Sequence, residues 1–383
     1  MPLRHAPLLA LLMISAFLVV GQLYVTIPLT ADIAARFGVS SEIAALAGTV
    51  FGVVYALGVL IFGPLSDRYG RRRVIVIGLA TTALTTALAG LAPSFALLLA
   101  ARAAQGLAAS TFPAAALSLV AETLPAEQRP LGLALISFAF LGSAPLAQFL
   151  GAGIGAGFAI IMLGAAPLYA LSALGIQWTA DGNVGHAAAG PASSLRMRLD
   201  GLLRDPVILA SWASALAVLF GFVAFHAGAQ ALNAGHDLQI LRLAGLPPLL
   251  LSFAAAPLIR RRGAPFTARA GLFLSALAFG LALVGFAPLL ILSSILLSTG
   301  VAIAVPGLIA TLAGRAENAN RGLALAIHAF AIFLGASIAP PLAQILAHLG
   351  PAPLWAVPGL LFLGAAQALT IGIRTGRKRS SAP

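Results

Sequence analysis

Few side chains in this chain are suited to chemistry, because only 8% of its residues are charged. Arg102 stands about seven residues inside an apolar run, with Gln105 and Gly106 at i+3 and i+4 on the same helical face. A cation at such depth costs about 2.5–3.5 kcal/mol, so it must face the bundle interior or a watery cavity. No Asp or Glu lies deep in any apolar run, so backbone carbonyls, water or substrate must serve Arg102, unless it snorkels to the outer interface. His226 and His328 are the other deep ionisable groups besides tyrosines. Histidine titrates near physiological pH, so either could carry a proton, or sit neutral between helices. His226, Gln230 and Asn233 fall on one helical face. Gln22 with Thr26, and Ser137 with Gln148, offer neutral donors and acceptors to a cavity or to neighbouring helices.

The remaining candidate is the stretch "GPLSDRYGRRR", Gly63 to Arg73, where five charges fall within seven residues between two apolar runs. Gly63 permits close helix approach. Asp67 is a carboxylate in a basic turn and should stay ionised. An anion there suits a helix N-terminus. A plainer reading makes the arginines a topology anchor and Asp67 a turn cap.

These residues need a scaffold, and composition says which. The chain is 60% hydrophobic, with a mean hydropathy of +1.03. Soluble domains are about 45–50% apolar, so lipid is the natural solvent here. Twelve apolar runs are long enough to cross a bilayer: 8–32, 42–65, 73–91, 95–120, 131–152, 155–177, 207–231, 240–258, 266–286, 289–312, 322–347 and 353–373. Backbone groups in hydrocarbon must bond internally, which predicts helices. The fold expected is an all-α membrane protein of twelve transmembrane helices. The first run lacks a cleavage site near its end and is read as a span rather than a signal peptide.

Net charge is +12, yet position argues for topology and against nucleic acid. Of 22 Lys and Arg, all but Arg36, Arg102 and Arg242 fall at the termini or beside even-numbered loops. That predicts a multi-pass protein of a cell membrane with both termini cytoplasmic, and the basic side suits anionic lipid headgroups. There are no cysteines, which excludes disulfides and thiol chemistry. No metal-ligand spacing and no deep acid pair occur, so neither an enzyme, a metal site nor a cofactor is expected.

The polar stretch Thr179 to Pro206 divides the spans six and six: a bundle over 1–178, a linker over 179–205 and a bundle over 206–383. Within the linker, Leu195, Leu199, Leu202 and Leu203 could line one side of a short interfacial helix. The halves repeat. "GPLSDRYG" at Gly63 aligns with "APLIRRRG" at Ala256, Pro113 with Pro306, and "FLG" at Phe140 with "FLG" at Phe333, all at an offset of 193. Duplicated six-helix units are a hallmark of secondary transporters.

Gly63, Leu65, Asp67, Arg68, Gly70, Arg71 and Arg72 resemble the G-x-L-x-D-R-x-G-R-R signature of the major facilitator superfamily, in its proper place between spans 2 and 3. "RAAQG", Arg102 to Gly106, resembles the R-x-x-Q-G motif of its proton-coupled members. The stretch from Gln22 looks most like bacterial drug or sugar efflux members. The resemblance implies two pseudo-symmetric bundles, with Asp67 meeting the start of span 11 and Arg71 reaching Glu122. Such contacts would cross the halves on the cytoplasmic side and favour an outward-open state. The chain departs from the antiporter pattern in span 5, where Gln148 and Phe149 stand in place of paired glycines, and Arg260 replaces the second-half counterpart of Asp67.

The function expected is secondary transport of small neutral or amphipathic molecules, exported against protons by a monomer in the bacterial inner membrane. Facilitated or proton-symport uptake of a sugar or monocarboxylate is the alternative. A membrane enzyme or scaffold is a more distant one.

Overall fold

The computed structural model describes residues 6–125, 127–179, 195–232, 238–317 and 320–380. Among them the regular structure is helical, and it falls into two compact units, Met1–Ala188 and Ala189–Pro383. Eleven helical segments are long and apolar enough to cross a membrane, and Ala6–Gly21 is a shorter apolar helix. Five of the eleven belong to the first unit, where Ala6–Gly21 stands at the place of the sixth expected span, and six belong to the second.

The first unit runs α1 (Ala6–Gly21), α2 (Thr30–Phe37), α3 (Ser41–Tyr69), α4 (Arg71–Leu91), α5 (Phe95–Ala109), α6 (Phe112–Thr123), α7 (Arg129–Gly153) and α8 (Phe158–Thr179). Two of its spans depart from the single helices expected. The first breaks after Gly21 into tight turns, in which Leu23 N–H bonds Val20 O and Ile27 N–H bonds Tyr24 O, before α2 resumes at Thr30. The fourth breaks at Ser110–Thr111, just before Pro113 near the start of α6. Proline lacks an N–H, so Pro28 and Pro113 mark both breaks in the sequence.

The second unit runs α9 (Leu195–Leu203), α10 (Pro206–Ala231), α11 (Leu238–Ala244), α12 (Ser252–Arg262), α13 (Ala264–Ala282), α14 (Ala287–Arg315), α15 (Arg321–His348) and α16 (Pro351–Ser380). A 3-10 turn, Pro247–Leu251, joins α11 to α12. α9 occupies the place expected for a linker helix, but its leucines do not share one environment. Leu202 is buried against Ile208, Trp212 and Leu312, whereas Leu203 is exposed. The Trp212 indole donates to Ala324 O, tying α10 to α15.

Caps set the helix starts. Ser40 and Ser94 accept from Ile43 N–H and Leu97 N–H at the heads of α3 and α5. Asp205 accepts from Val207 N–H at 2.8 Å and heads α10, with Pro206 at the first helical position. Asp32 accepts from Phe158 N–H at 2.7 Å and caps α8. Arg36 closes the other end of α4 by donating to Gly90 O and Ala92 O.

The repeat has a structural counterpart. Gly70 joins α3 to α4 at φ 90°, ψ 132°, and Gly263 joins α12 to α13 at φ 86°, ψ 154°. These residues stand 193 apart, and the shared positive φ is a conformation that L side chains resist. Outward faces are apolar, with Leu84, Ile160, Leu171, Leu277 and Leu360 all exposed, as a lipid-facing surface requires.

Candidate functional site

The centre of the first unit is built around Arg102, which is fully buried. Its Nε donates to Ala47 O at 3.0 Å and its Nη2 to Gln22 O at 2.7 Å. Its Nη1 donates to Gln22 Oε1 at 3.0 Å and to Gln105 Oε1 at 2.6 Å. Four of the five guanidinium N–H groups are thereby engaged by neutral oxygens. The Phe51 ring lies beneath, 4.3 Å from the guanidinium carbon. Gln105 Nε2 donates onward to Thr86 Oγ1 at 2.7 Å, and Thr86 donates to Thr82 O at 2.6 Å.

Each partner follows from local structure. The break after Gly21 puts Gln22 in a turn, where its carbonyl can accept from a side chain instead of completing a helix ladder. Gly106 lets α5 approach α3 so closely that a Cβ there would sit 2.2 Å from Phe51 O. That approach brings Ala47 and Phe51 to Arg102. The sequence identified Arg102, Gln105 and Gln22 and missed Thr86, Phe51 and the two carbonyls. Thr86 falls in the threonine-rich stretch "TTALTTA" of α4, whose polar spacing was the available signal.

Thr26 is buried, but it lies in the turn segment, so the expected shared helical face with Gln22 does not form. Its Oγ1 sits against Gly48 of α3 instead. Gln148 is fully buried; its Nε2 donates to Ala144 O at 3.2 Å and its Oε1 has no partner among the described residues. Ser137, expected beside it, is exposed and bonds Leu133 O on its own helix. Tyr24 and Tyr55 are both buried, and Tyr55 stacks on Phe51 at 5.7 Å.

In the second unit His226 is buried between the edges of Phe222 and Phe225, each ring 5.4 Å away, with Nδ1 3.0 Å from Phe222 O. Gln230 does not join it in a free polar face: its Oε1 accepts from Arg242 Nη2 at 2.6 Å. Arg242, expected in or near an outer loop, is buried in α11. Asn233 lies outside the described residues. His328 is buried on α15, and neither ring nitrogen has a hydrogen-bond partner among the described residues.

The basic motif differs from the turn expected. α3 continues through Tyr69, so Gly63, Asp67 and Arg68 are helical and Gly70 alone makes the turn. Arg71 and Arg72 open α4. Arg71 Nε stands 3.3 Å from Glu122 Oε1, and Arg71 Nη1 donates to Ser66 Oγ at 2.8 Å. This ion pair joins the start of α4 to the end of α6 inside one unit, so it does not cross the halves as expected. Arg72 donates to Gln177 O near the end of α8. The side chain of Asp67, on which the expected meeting with span 11 rests, lies outside the described residues.

Residues 12–241 match the sequence model of the Major Facilitator Superfamily. The uncharacterized MFS-type transporter YwfA of Bacillus subtilis is 30% identical over 39% of this chain and 37% of its own length. Multidrug resistance protein D of Escherichia coli is 34% identical over 30% of this chain and 29% of its own. These matches therefore span well under half of either relative. Among solved structures, the human organic anion transporter MFSD10 superimposes with a TM-score of 0.74 at 20% identity, covering 96% of this chain and 100% of that one. A peptide transporter bound to alafosfalin gives 0.75 at 14% identity, covering 96% and 95%.

Proposed function

The chain belongs to the Major Facilitator Superfamily and is a multi-pass membrane transporter rather than an enzyme; from that premise we propose that it exports small neutral or amphipathic molecules in exchange for protons, by alternating access. The observation that carries the substrate class is the chemistry of the buried polar groups. Gln22, Gln105, Gln148 and Thr86 are neutral, and Arg102 has four N–H groups already engaged. Asp32, Glu42, Glu122 and Asp205 stand at helix ends, Glu127 and Glu317 lie between helices, and Asp200 is exposed on the short α9. Multiply charged substrates want several basic partners, and the buried arginines Arg71, Arg102 and Arg242 are each already held by partners within their own unit. The names of the multidrug resistance protein D and of the multidrug efflux pump LfrA of Mycolicibacterium smegmatis, 35% identical over 27% of this chain, support export.

For the proton, His328 is the better candidate of the two histidines. Neither of its ring nitrogens has a partner among the described residues, whereas Nδ1 of His226 is tied to its own helix. Asp67, with Arg68, serves as a cytoplasmic latch that opens as the protein turns inward, while Arg71 with Glu122 and Arg72 with Gln177 hold the helix ends beside it within the first unit. The protein acts as a monomer in the bacterial inner membrane with both termini cytoplasmic. A second reading, uptake of a sugar or monocarboxylate, draws on Arg102, a cation at depth whose hydrogen-bond partners among the described residues are all neutral.

The test is transport by purified protein in proteoliposomes, with and without a pH gradient, across a panel of neutral, cationic and monoanionic compounds. Acceleration of efflux by inward proton flow is expected, and His328→Gln should abolish that acceleration while His226→Gln retains most of it. Rates indifferent to the gradient would remove proton coupling. Preference for a monoanion entering with the proton would favour the second reading.

A further inference from the structure

We propose that the basic end of the α13–α16 groove is a binding site for the phosphate headgroup of an anionic phospholipid, with Arg269 and Arg374 as its cationic ligands. α13 and α16 pack side by side. Arg269, half-buried on α13, reaches across to Thr370 of α16, with Nη1 3.5 Å from Thr370 Oγ1 and Nε 3.3 Å from Pro265 O. Both contacts lie at or beyond the long end of hydrogen-bonding distances. The guanidinium is therefore oriented across the groove but weakly engaged. Arg374, exposed, stands one turn beyond Thr370 on the same helix, in the direction of the basic end.

What lies beside these arginines identifies the ligand as lipid. Phe273 and Leu277 follow Arg269 at i+4 and i+8 on α13, and both are exposed. Leu360, Leu363 and Ile371 form the matching exposed stripe of α16 on the side leading to Arg374. Two apolar tracks suited to acyl chains thus end at two arginines. At the same end Arg262 sits over the exposed ring of Phe266, 5.7 Å from its centroid, an aromatic at the level of an interface. Charge balance agrees: from residue 238 to residue 383 the sole acid is Glu317, so Arg260, Arg261, Arg262, Arg269 and Arg374 share this end without acids on their own helices.

The corresponding groove of the first unit lacks this arrangement. Position 76, which is 193 before Arg269, is Val76, and position 177, which is 193 before Thr370, is Gln177. There Arg72 donates to the Gln177 carbonyl and closes the end of α8. The second unit offers instead an oriented guanidinium with donors to spare, and phosphate accepts such donors more strongly than a neutral oxygen does.

Native mass spectrometry of the full detergent-solubilised chain, titrated with phosphatidylglycerol, phosphatidylcholine or inorganic phosphate, tests the site. Phosphatidylglycerol should bind preferentially. Arg374→Gln should weaken it about five-fold, and Arg269→Gln with Arg374→Gln about thirty-fold. Arg73→Gln, an exposed arginine of the first unit, should change it less than about two-fold. Should the double variant unfold, Arg374→Gln alone decides, because that side chain is exposed. Equal binding of the two lipids overturns the proposal, as does an equal loss from Arg73→Gln, which would mean diffuse attraction. Displacement of phosphatidylglycerol by millimolar inorganic phosphate would assign the arginines to a free anion and also overturn it.

Discussion

Arg102 illustrates how a membrane interior holds a cation without an acid. Its charge is distributed over four neutral oxygens and an aromatic face, and Gln105 passes the network on to Thr86. Networks of this kind are costly to break in part, because the remaining partners stay buried and unsatisfied. Gln105→Leu removes one acceptor from Arg102 and one donor to Thr86, so we expect a loss of about 2 kcal/mol in stability. Thr86→Val keeps the shape and removes the acceptor of Gln105 Nε2 together with a donor to Thr82 O, a helix carbonyl that keeps its place in the ladder, so about 1 kcal/mol is expected. Thermal unfolding of the purified variants in detergent checks the ranking, and an equal or reversed order would contradict this account of the network. At this scale the sequence was informative about which side chains are special, since an arginine amid apolar residues must have partners. It was silent about carbonyl partners, because every residue has one and no letter distinguishes those left available.

Among the elements, glycine decides how closely helices approach. The short distance between α3 and α5 rests on Gly106, where a Cβ would meet the Phe51 carbonyl at 2.2 Å, a backbone atom that cannot rotate away. Gly106→Ala should therefore displace α5, dismantle the contacts of Arg102 and lower transport together with stability, by about 1–3 kcal/mol. Gly280 of α13 has open space around it, so Gly280→Ala should be tolerated or stabilise slightly, by helix propensity of about 0.5–1 kcal/mol. Unfolding midpoints of the two variants should move in opposite directions. Helix positions were legible from apolar run length, as α10 shows by filling the predicted 207–231 almost to the residue. Pro28 and Pro113 signalled that the first and fourth spans are interrupted, but hydropathy did not place the interruptions at Gln22 and Ser110. Both lie in sequence as apolar as the helices they divide, and hydropathy does not report backbone direction.

For the molecule as a whole, the duplication was legible in sequence because the 193-residue offset recurs at Pro113, Phe140 and Gly70. The turns at Gly70 and Gly263 share it in conformation too. Repetition has not preserved the details. The first unit uses Arg71 with Glu122, whereas the second pairs Arg315 with Asp205 at 2.6 Å, at the residue that also caps α10. Arg315 is 41% exposed, so the ion pair itself contributes little. Asp205→Asn, which keeps a capping oxygen, should cost under about 1 kcal/mol, and Asp205→Ala about 1–2 kcal/mol. The even number of spans predicts sidedness directly. The chain has no cysteine, so single replacements report without background. Cysteine at Ile154 or Phe286 should react with a membrane-impermeant maleimide on intact cells, and cysteine at Arg73 or Thr375 only after permeabilisation. Reaction of all four from one side would contradict the twelve-span topology.

The cradle of Arg102 has a practical consequence for genetics. Two of its four acceptors, Ala47 O and Gln22 O, are main-chain atoms. An alanine scan would leave Ala47 untouched by definition and would strip Gln22 of its amide while sparing the carbonyl. Such a survey would register half of the support and report the arginine as more loosely held than it is. Amide-to-ester replacement at these two peptide units, which weakens a carbonyl acceptor without altering any side chain, would recover the half that codon changes overlook.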